Sequence, residues 1–432
     1  MNISNNLKKT IDSNKFACFM LVCILGYALF KRSYREIGDI FQAFLILGTI
    51  ASLYYNREIL LKDKIIHCFA ASLFIPILSW LNSISEIPDL AKPSPNITAL
   101  YTFFTFWPIA YWLKGNTKKI TLMLFSFCLG FVFMCQRNSD MVQEITRGLK
   151  GIRVDFNIIN AQHPALLAGF GLIICIFYFL IFSKRIFNKP SAVSLALLFS
   201  TAALCVFFLV ITIITQSRQV WLALILSSIV FIPFIYNSFA ARPITKKKFI
   251  LIYLFILLAV FAFTKIDIVE KRIHNEKNAI KNILMLNFDQ IKASGSAGIR
   301  LNLWKEAVTW IKARPLLGSG YDSRALVISQ SKNLPKRIKR DFTHLHNSHI
   351  EMLVHYGILG SALIYFVMIY PVILLLKSSR KDIDGYKTLG LIFTVYWMTV
   401  NNFESFFFAK NGEIILSIYL GMIYSFKFSS EK

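Results

Sequence analysis

Charge is scarce in this sequence. Only 16% of the 432 residues are Asp, Glu, Lys or Arg, against about a quarter in a soluble domain. Hydrophobic residues make up 56% and aromatics 15%, which excludes a water-solvated fold for most of the length. Loop cysteines are lacking: Cys18, Cys23, Cys68, Cys128, Cys135, Cys175 and Cys205 all fall inside apolar runs. That excludes a disulfide framework and a thiolate metal site, and leaves small buried hydrophobes. No small-residue exit site follows the first apolar run, so residues 16–30 are expected to stay as an anchor. Internal repeats and low-complexity tracts are missing too, which removes support for a repeat-built transporter.

What is present is a series of long apolar runs from end to end. They predict an all-α integral membrane protein with about twelve spans, each able to cross a hydrocarbon core of about 30 Å. The spans are placed near 16–31, 39–55, 65–82, 98–113, 120–136, 161–182, 191–215, 218–236, 249–265, 351–376, 388–405 and 411–427. Three regions follow: nine spans in 1–264, a large loop in 265–349, and three spans in 350–432. With the N-terminus inside, the inside segments hold about twenty-two Lys and Arg and the short outside loops about ten. Both termini are therefore expected in the cytoplasm and the large loop outside.

The net charge of +25 suggests nucleic acid, but position argues against it. Most of the basic residues sit in short loops, where they set topology, and no nucleic-acid module interrupts the chain. The large loop carries about sixteen basic and seven acidic residues, an excess suited to phosphate-bearing lipids and glycolipids. Within it, "GIRLNLWKEAVTWIKARPLLGSGY" reads as an amphipathic helix broken at Pro315 and the Gly318/Gly320 turn. Arg300, Trp304, Ala307 and Ile311 share one face, and Trp304 and Trp310 are placed to anchor the helix in the interface.

Few residues invite chemistry, and they collect at one end of the spans. In "TQSRQVW", Arg218 sits where one span ends and the next begins, with Gln216 beside it as a candidate contact. Such an arginine either meets lipid phosphate or grips a diphosphate bidentately. Arg300 follows the flexible "ASGSAG" and opens the amphipathic helix, a place where a cation opposes the macrodipole. Four histidines, His344, His346, His349 and His355, precede or enter an apolar helix. His346 and His349 lie one turn apart near Glu351, yet the pattern is not H-E-x-x-H and no thiol is at hand. The only D-x-D, Asp382-Ile383-Asp384, falls in an inside loop, so no metal is expected. Read as a helix, His346, Ile350, Leu353, Gly357 and Gly360 form one stripe, with the glycines admitting a close helix neighbour. A single neutral imidazole there can accept a proton from an alcohol, whereas His349 and His355 read as interfacial bystanders. Asn401, Asn402 and Glu404 lie at the outer end of the eleventh span, with Glu404 a possible partner of the site.

"HN", nine residues, then "GILG" (His346, Asn347, Gly357, Gly360) resembles the H-N-x9-G-x-x-G signature of bacterial O-antigen ligases. The order of an "SR" turn, a large loop with an Arg-led helix, and then the motif is similar too. The resemblance implies a membrane glycosyltransferase of the GT-C type in the bacterial inner membrane, its active site facing the periplasm. It implies transfer of an O-antigen glycan from undecaprenyl diphosphate to the lipid A–core oligosaccharide, without metal or other cofactor. The family's essential histidine then falls on His346, its two arginines on Arg218 and Arg300, and its asparagine on Asn347. His344, Gln216 and Glu404 stand as further substrate contacts. An O-antigen polymerase using the same donor, or a protein O-oligosaccharyltransferase, is the rival reading.

Overall fold

The computed structural model describes residues 8–188, 190–239, 269–270 and 295–429, and they are helical wherever they are regular. The ninth expected span, 249–265, and most of the first part of the large loop lie outside the described residues. Twelve helices carry the argument: α1 (Asn14–Phe30), α2 (Arg35–Tyr55), α3 (Lys64–Glu86), α4 (Phe106–Leu113), α5 (Thr117–Asn138) and α6 (Gln162–Asn188) come first. They are followed by α7 (Ala192–Ile214), α8 (Arg218–Phe239), α9 (Gly295–Ala313), α10 (Ser348–Lys377), α11 (Asp384–Asn401) and α12 (Lys410–Ser425). Among the described residues six helices are long and apolar enough to cross a membrane: α2, α3, α5, α6 (to Ile186), α7 and α10. The chain is a multi-pass membrane protein.

The order of burial is that of a bundle solvated by lipid. On α12 every residue from 411 to 425 except Glu413 is buried, with α4, α6, α10 and α11 packed around it. On the flanks, Phe44, Leu47, Ile50 and Tyr54 of α2 and Phe199 and Val206 of α7 point outward and stay exposed. Apolar side chains in such a row are stable against hydrocarbon and costly against water. The fourth expected span arrives in pieces: Thr98–Tyr101, a 3₁₀ turn Thr102–Phe104, and α4. Tyr101 is exposed, but the aromatic residues of α4 are buried, with Phe106 edge-on to Tyr424 of α12, where Gly421 leaves room for Ile109.

Connections sort onto two ends. At one end Lys427 Nζ lies 2.9 Å from Asp63, Tyr424 donates to the same carboxylate at 2.6 Å, and Arg380 donates to Ser429 Oγ at 2.7 Å. The other end gathers the turns after α1, α5 and α7 together with α9 and the loops before α10 and after α11. There Arg137 donates to the Ser33 carbonyl, and Gln216 Nε2 donates to the Gly151 carbonyl at 2.9 Å. Above this second end α9 helps form a separate small core of Leu303, Ala307, Val327, Ile328, Leu334, Ile338, Leu345 and Val354.

α10 differs from its expected form. Gly357 has φ 60° and ψ −159°, which breaks the helix into two arms. Segment 315–320 fills the gap: Ile358 N–H donates to the Pro315 carbonyl at 2.8 Å and Leu359 N–H to Leu316 at 3.1 Å. In return Ser319 and Gly320 N–H donate to the Val354 and His355 carbonyls at 2.8 and 3.0 Å. Gly357 is therefore a break that admits a strand of chain, where the sequence suggested a seat for a neighbouring helix. A Cβ there would stand 2.3 Å from the Leu316 carbonyl oxygen. Gly360, one turn on, packs on Tyr356 and Ile75 of α3.

Candidate active site

The site is built on the loop 342–347, which the small core and α10 hold from both sides. The Leu345 side chain is fully buried in that core. Its N–H donates to Glu351 Oε1 at 2.7 Å, and its carbonyl accepts the Trp304 indole N–H at 2.9 Å. Trp304 thus pins this loop and is not a free interfacial anchor. Fixing the backbone of residue 345 on both edges sets the directions of its neighbours, His344 and His346.

His346 departs from the helical stripe expected for it. α10 begins at Ser348, and His346 lies before it in the left-handed region at φ 53°. Non-glycine residues adopt that conformation at a cost of about 1 kcal/mol or more, and histidine is among those that accept it. Here it swings the ring onto Glu404, whose carboxylate oxygens lie 3.0 and 3.1 Å from Nδ1. His344 Nε2 approaches the same carboxylate at 3.1 Å, and the two imidazoles stand 4.1 Å apart. α11 ends at Asn401, so Glu404 sits in the loop beyond it, only 3% exposed. Burial pushes its carboxyl up, but the hydrogen bonds from His344 and His346 outweigh burial and hold it well below the ordinary range. Glu404 is thus a carboxylate serving two histidines, with His346 Nε2 left as that ring's second nitrogen.

A second carboxylate secures the arrangement. Glu351, fully buried, accepts from Leu345 N–H and from Ser405 Oγ at 2.6 Å, and pairs with Arg324 at 2.8 Å. One side chain thus fixes both the histidine loop and the residue after Glu404. Ser348 adds a further tie, lying 2.6 Å from Asn401 Oδ1 and 2.9 Å from the Glu404 carbonyl while accepting Phe407 N–H at 3.1 Å.

Asn347 takes a post at the start of α10. Its Oδ1 accepts His349 N–H at 3.0 Å and Ile350 N–H at 3.1 Å, the bonds of an N-cap. Asn347→Ala is expected to lower stability by about 1 kcal/mol, and Asn347→Asp, which keeps the acceptor, far less. Chemical unfolding of the purified protein in detergent checks the pair. His349 is engaged through Nδ1 with Tyr365 and through Nε2 with the Met398 carbonyl at 3.3 Å. His355 is fully buried among Tyr321, Tyr356 and Phe408. The set His346, His349 and Glu351 does not come together. The one group among the described residues with ligand atoms placed for a cation is His344, His346 and Glu404, within 4.8 Å of one another.

The two arginines enter from different helices. Arg300 lies in the second turn of α9, which starts at Gly295, away from the dipole end expected for it. Its Nη2 is 3.4 Å from Gln162 Oε1, which brings α9 to the first turn of α6. Arg218 is the first residue of α8, after Gln216, which holds φ 51° and turns the chain. The amide nitrogen of Gln216 is engaged with Gly151, so this residue shapes the turn. His163 and Asn411 were not singled out from the sequence. His163 Nδ1 is 3.1 Å from Asn411 Nδ2, and Arg32 donates to Asn411 Oδ1. The available signal for His163 was its place at the start of a span, the same signal that marked Arg218.

Residues 203–365 match the family described as O-Antigen ligase, so the chain carries an O-antigen ligase family domain. That family takes in ligases and polymerases. The matched stretch holds Arg218, Arg300 and the loop 342–347; Glu404, His163 and Asn411 lie outside it. A protein of Haemophilus influenzae, described only as an uncharacterized protein, is 26% identical over 187 residues. The match covers 42% of this chain and 45% of the relative, under half the length of either.

Proposed function

We propose that this membrane enzyme moves an O-antigen glycan from undecaprenyl diphosphate to a hydroxyl of the lipid A–core oligosaccharide, at the periplasmic face of the inner membrane. The observation that carries the reading is the His346–Glu404 pair. A carboxylate on Nδ1 fixes that nitrogen as the N–H and leaves Nε2 as the base, and it stabilises the imidazolium that forms. Nε2 takes the proton of the acceptor hydroxyl as its oxygen attacks the anomeric carbon. The bond from that carbon to the diphosphate oxygen breaks, its electron pair leaves with undecaprenyl diphosphate, and the anomeric centre inverts. Diphosphate is already a good leaving group, so positioning and charge neutralisation remain the main tasks. Arg218 and Arg300 are the cations assigned to it, since a guanidinium can bridge two phosphate oxygens. With twelve spans and both termini inside, an arrangement that the distribution of basic loops supports, the histidine end faces the periplasm in this proposal.

A polymerase would use the same donor and the same base, with a second lipid-linked glycan as acceptor. A cation on His344, His346 and Glu404 is a different chemistry, because a metal on His346 Nδ1 would leave the proton on Nε2 and remove the base. One assay addresses both. Purified protein is given lipid-linked glycan, with lipid A–core or a second lipid-linked unit as acceptor, in excess chelator. Product on lipid A–core at an undiminished rate is expected. Longer lipid-linked chains alone would favour the polymerase, and a rate that vanishes with chelator and returns with one added divalent metal would sink the base mechanism.

A further inference from the structure

The first turn of α8 holds polar groups that the reaction above does not use. Ser217 immediately precedes α8, where a serine hydroxyl ordinarily accepts a first-turn N–H. Here the hydroxyl, on a residue 3% exposed, has no partner among the described residues. Gln219 is 7% exposed, and both its amide nitrogen and its amide oxygen are buried without a partner among the described residues. Each such group costs stability, because folding removed its water and supplied nothing in exchange. Three unengaged polar atoms within three residues, flanking a candidate diphosphate-binding arginine, point to a ligand.

Their place in the fold agrees. A Cβ on Gly169 would lie 2.9 Å from Val220 Cγ1 and 2.4 Å from the Tyr396 hydroxyl oxygen, so the start of α8 packs where α6 and α11 meet. Tyr396 also donates to the Leu166 carbonyl at 2.7 Å. The next turn of α6 toward its start carries His163, and the chain leaving α11 carries Glu404. The unengaged atoms therefore stand at the same end, between the elements that bear the site. Their chemistry is neutral: an amide offers a donor and an acceptor side by side, and a hydroxyl offers either. Diphosphate oxygens only accept, so an amide oxygen beside them is wasted. A sugar hydroxyl or acetamido group donates and accepts, and satisfies both. Gln219 adjoins Arg218 in the first turn of α8.

We propose that Ser217 and Gln219 form a neutral subsite beside Arg218 that reads hydroxyl or amide groups of the sugar attached to the diphosphate. This rests on the transferase reading of the site. The subsite makes donor recognition a two-part event, with charge for the diphosphate and paired hydrogen bonds for its first sugar.

The test needs no turnover. Purified protein is titrated with undecaprenyl diphosphate and with undecaprenyl diphosphate bearing one N-acetylhexosamine, with no acceptor present. The wild type is expected to bind the sugar-bearing lipid about tenfold more tightly or better, as one or two net hydrogen bonds allow. Ser217→Ala combined with Gln219→Met should lose most of that preference and bind the bare lipid as the wild type does. The melting temperature of the ligand-free variant should hold or rise, since the removed groups had no partners to lose. Equal wild-type affinity for the two lipids, or a preference that survives in the variant, overturns the proposal. So does a lower ligand-free melting temperature accompanying the lost preference, which marks the amide as a structural group holding water. A protein that shows the preference yet transfers nothing sinks the transferase reading and leaves the subsite standing. One that transfers without the preference does the reverse.

Discussion

His346→Ala is expected to cut glycan transfer about 10³-fold or more while the protein inserts and melts as the wild type does. The size follows from the contribution of a positioned general base, about 10² to 10⁴. Stability should change little, because the ring lies outside α10 and Glu404 keeps His344 as a partner. Releasing the left-handed backbone at φ 53° from a histidine changes that strain only slightly, since alanine at the same place is strained as well. His349→Ala makes the comparison sharp. It loses contacts with Tyr365 and Met398 and should cost stability first and transfer little. Glu404→Gln should fall between, because an amide can still orient Nδ1 but cannot balance an imidazolium. Surface O-antigen near the wild-type level in the His346→Ala strain would remove this residue from the mechanism.

Gly357→Ala is expected to be among the most damaging single changes to the fold. The backbone at φ 60°, ψ −159° belongs to a region that only glycine occupies readily. The added carbon would also stand 2.3 Å from a carbonyl oxygen and 2.7 Å from the Leu317 nitrogen, both backbone atoms that cannot rotate away. Strain and clash together predict a loss of about 3 kcal/mol or more, enough to deplete the folded population. Gly151→Ala is the control: it shares a positive φ, 88°, but no atom lies within 4 Å of its Cβ. If thermal unfolding shows equal losses for both variants, strain alone is at work and the inserted segment 315–320 is not tightly held. A Gly357→Ala protein that melts like the wild type would refute the broken helix itself.

The sequence made the membrane class and the helix positions legible, because apolar runs and basic loops are local signals. α1 begins two residues from its expected start, and α6, α7 and α10 fall where expected within a few residues. The fourth span was harder: Pro108 and its crowded aromatics allow an apolar run without one continuous helix. The site was half legible. His346, Arg218 and Glu404 stood out as polar residues at the ends of spans, and Arg300 as the head of an amphipathic helix in the large loop. What stayed hidden was pairing at a distance. Nothing within 342–360 reveals that Glu404, 58 residues on, meets His346, or that Glu351 engages Arg324 and Ser405 and not a histidine. The Gly357/Gly360 spacing suggested helix-to-helix approach, and only the backbone dihedrals disclose a break with chain inserted.

That insertion has a consequence for turnover. Four backbone hydrogen bonds tie segment 315–320 to both arms of α10, and the Ser79 hydroxyl and Asn82 amide of α3 donate to the His355 and Gly318 carbonyls. Moving this segment would strand main-chain donors and acceptors in apolar surroundings, at several kcal/mol for the set. It is therefore not a gate. In the proposed reaction substrates come and go past a fixed abutment, and the lipid-linked chain adjusts its own conformation to meet the base.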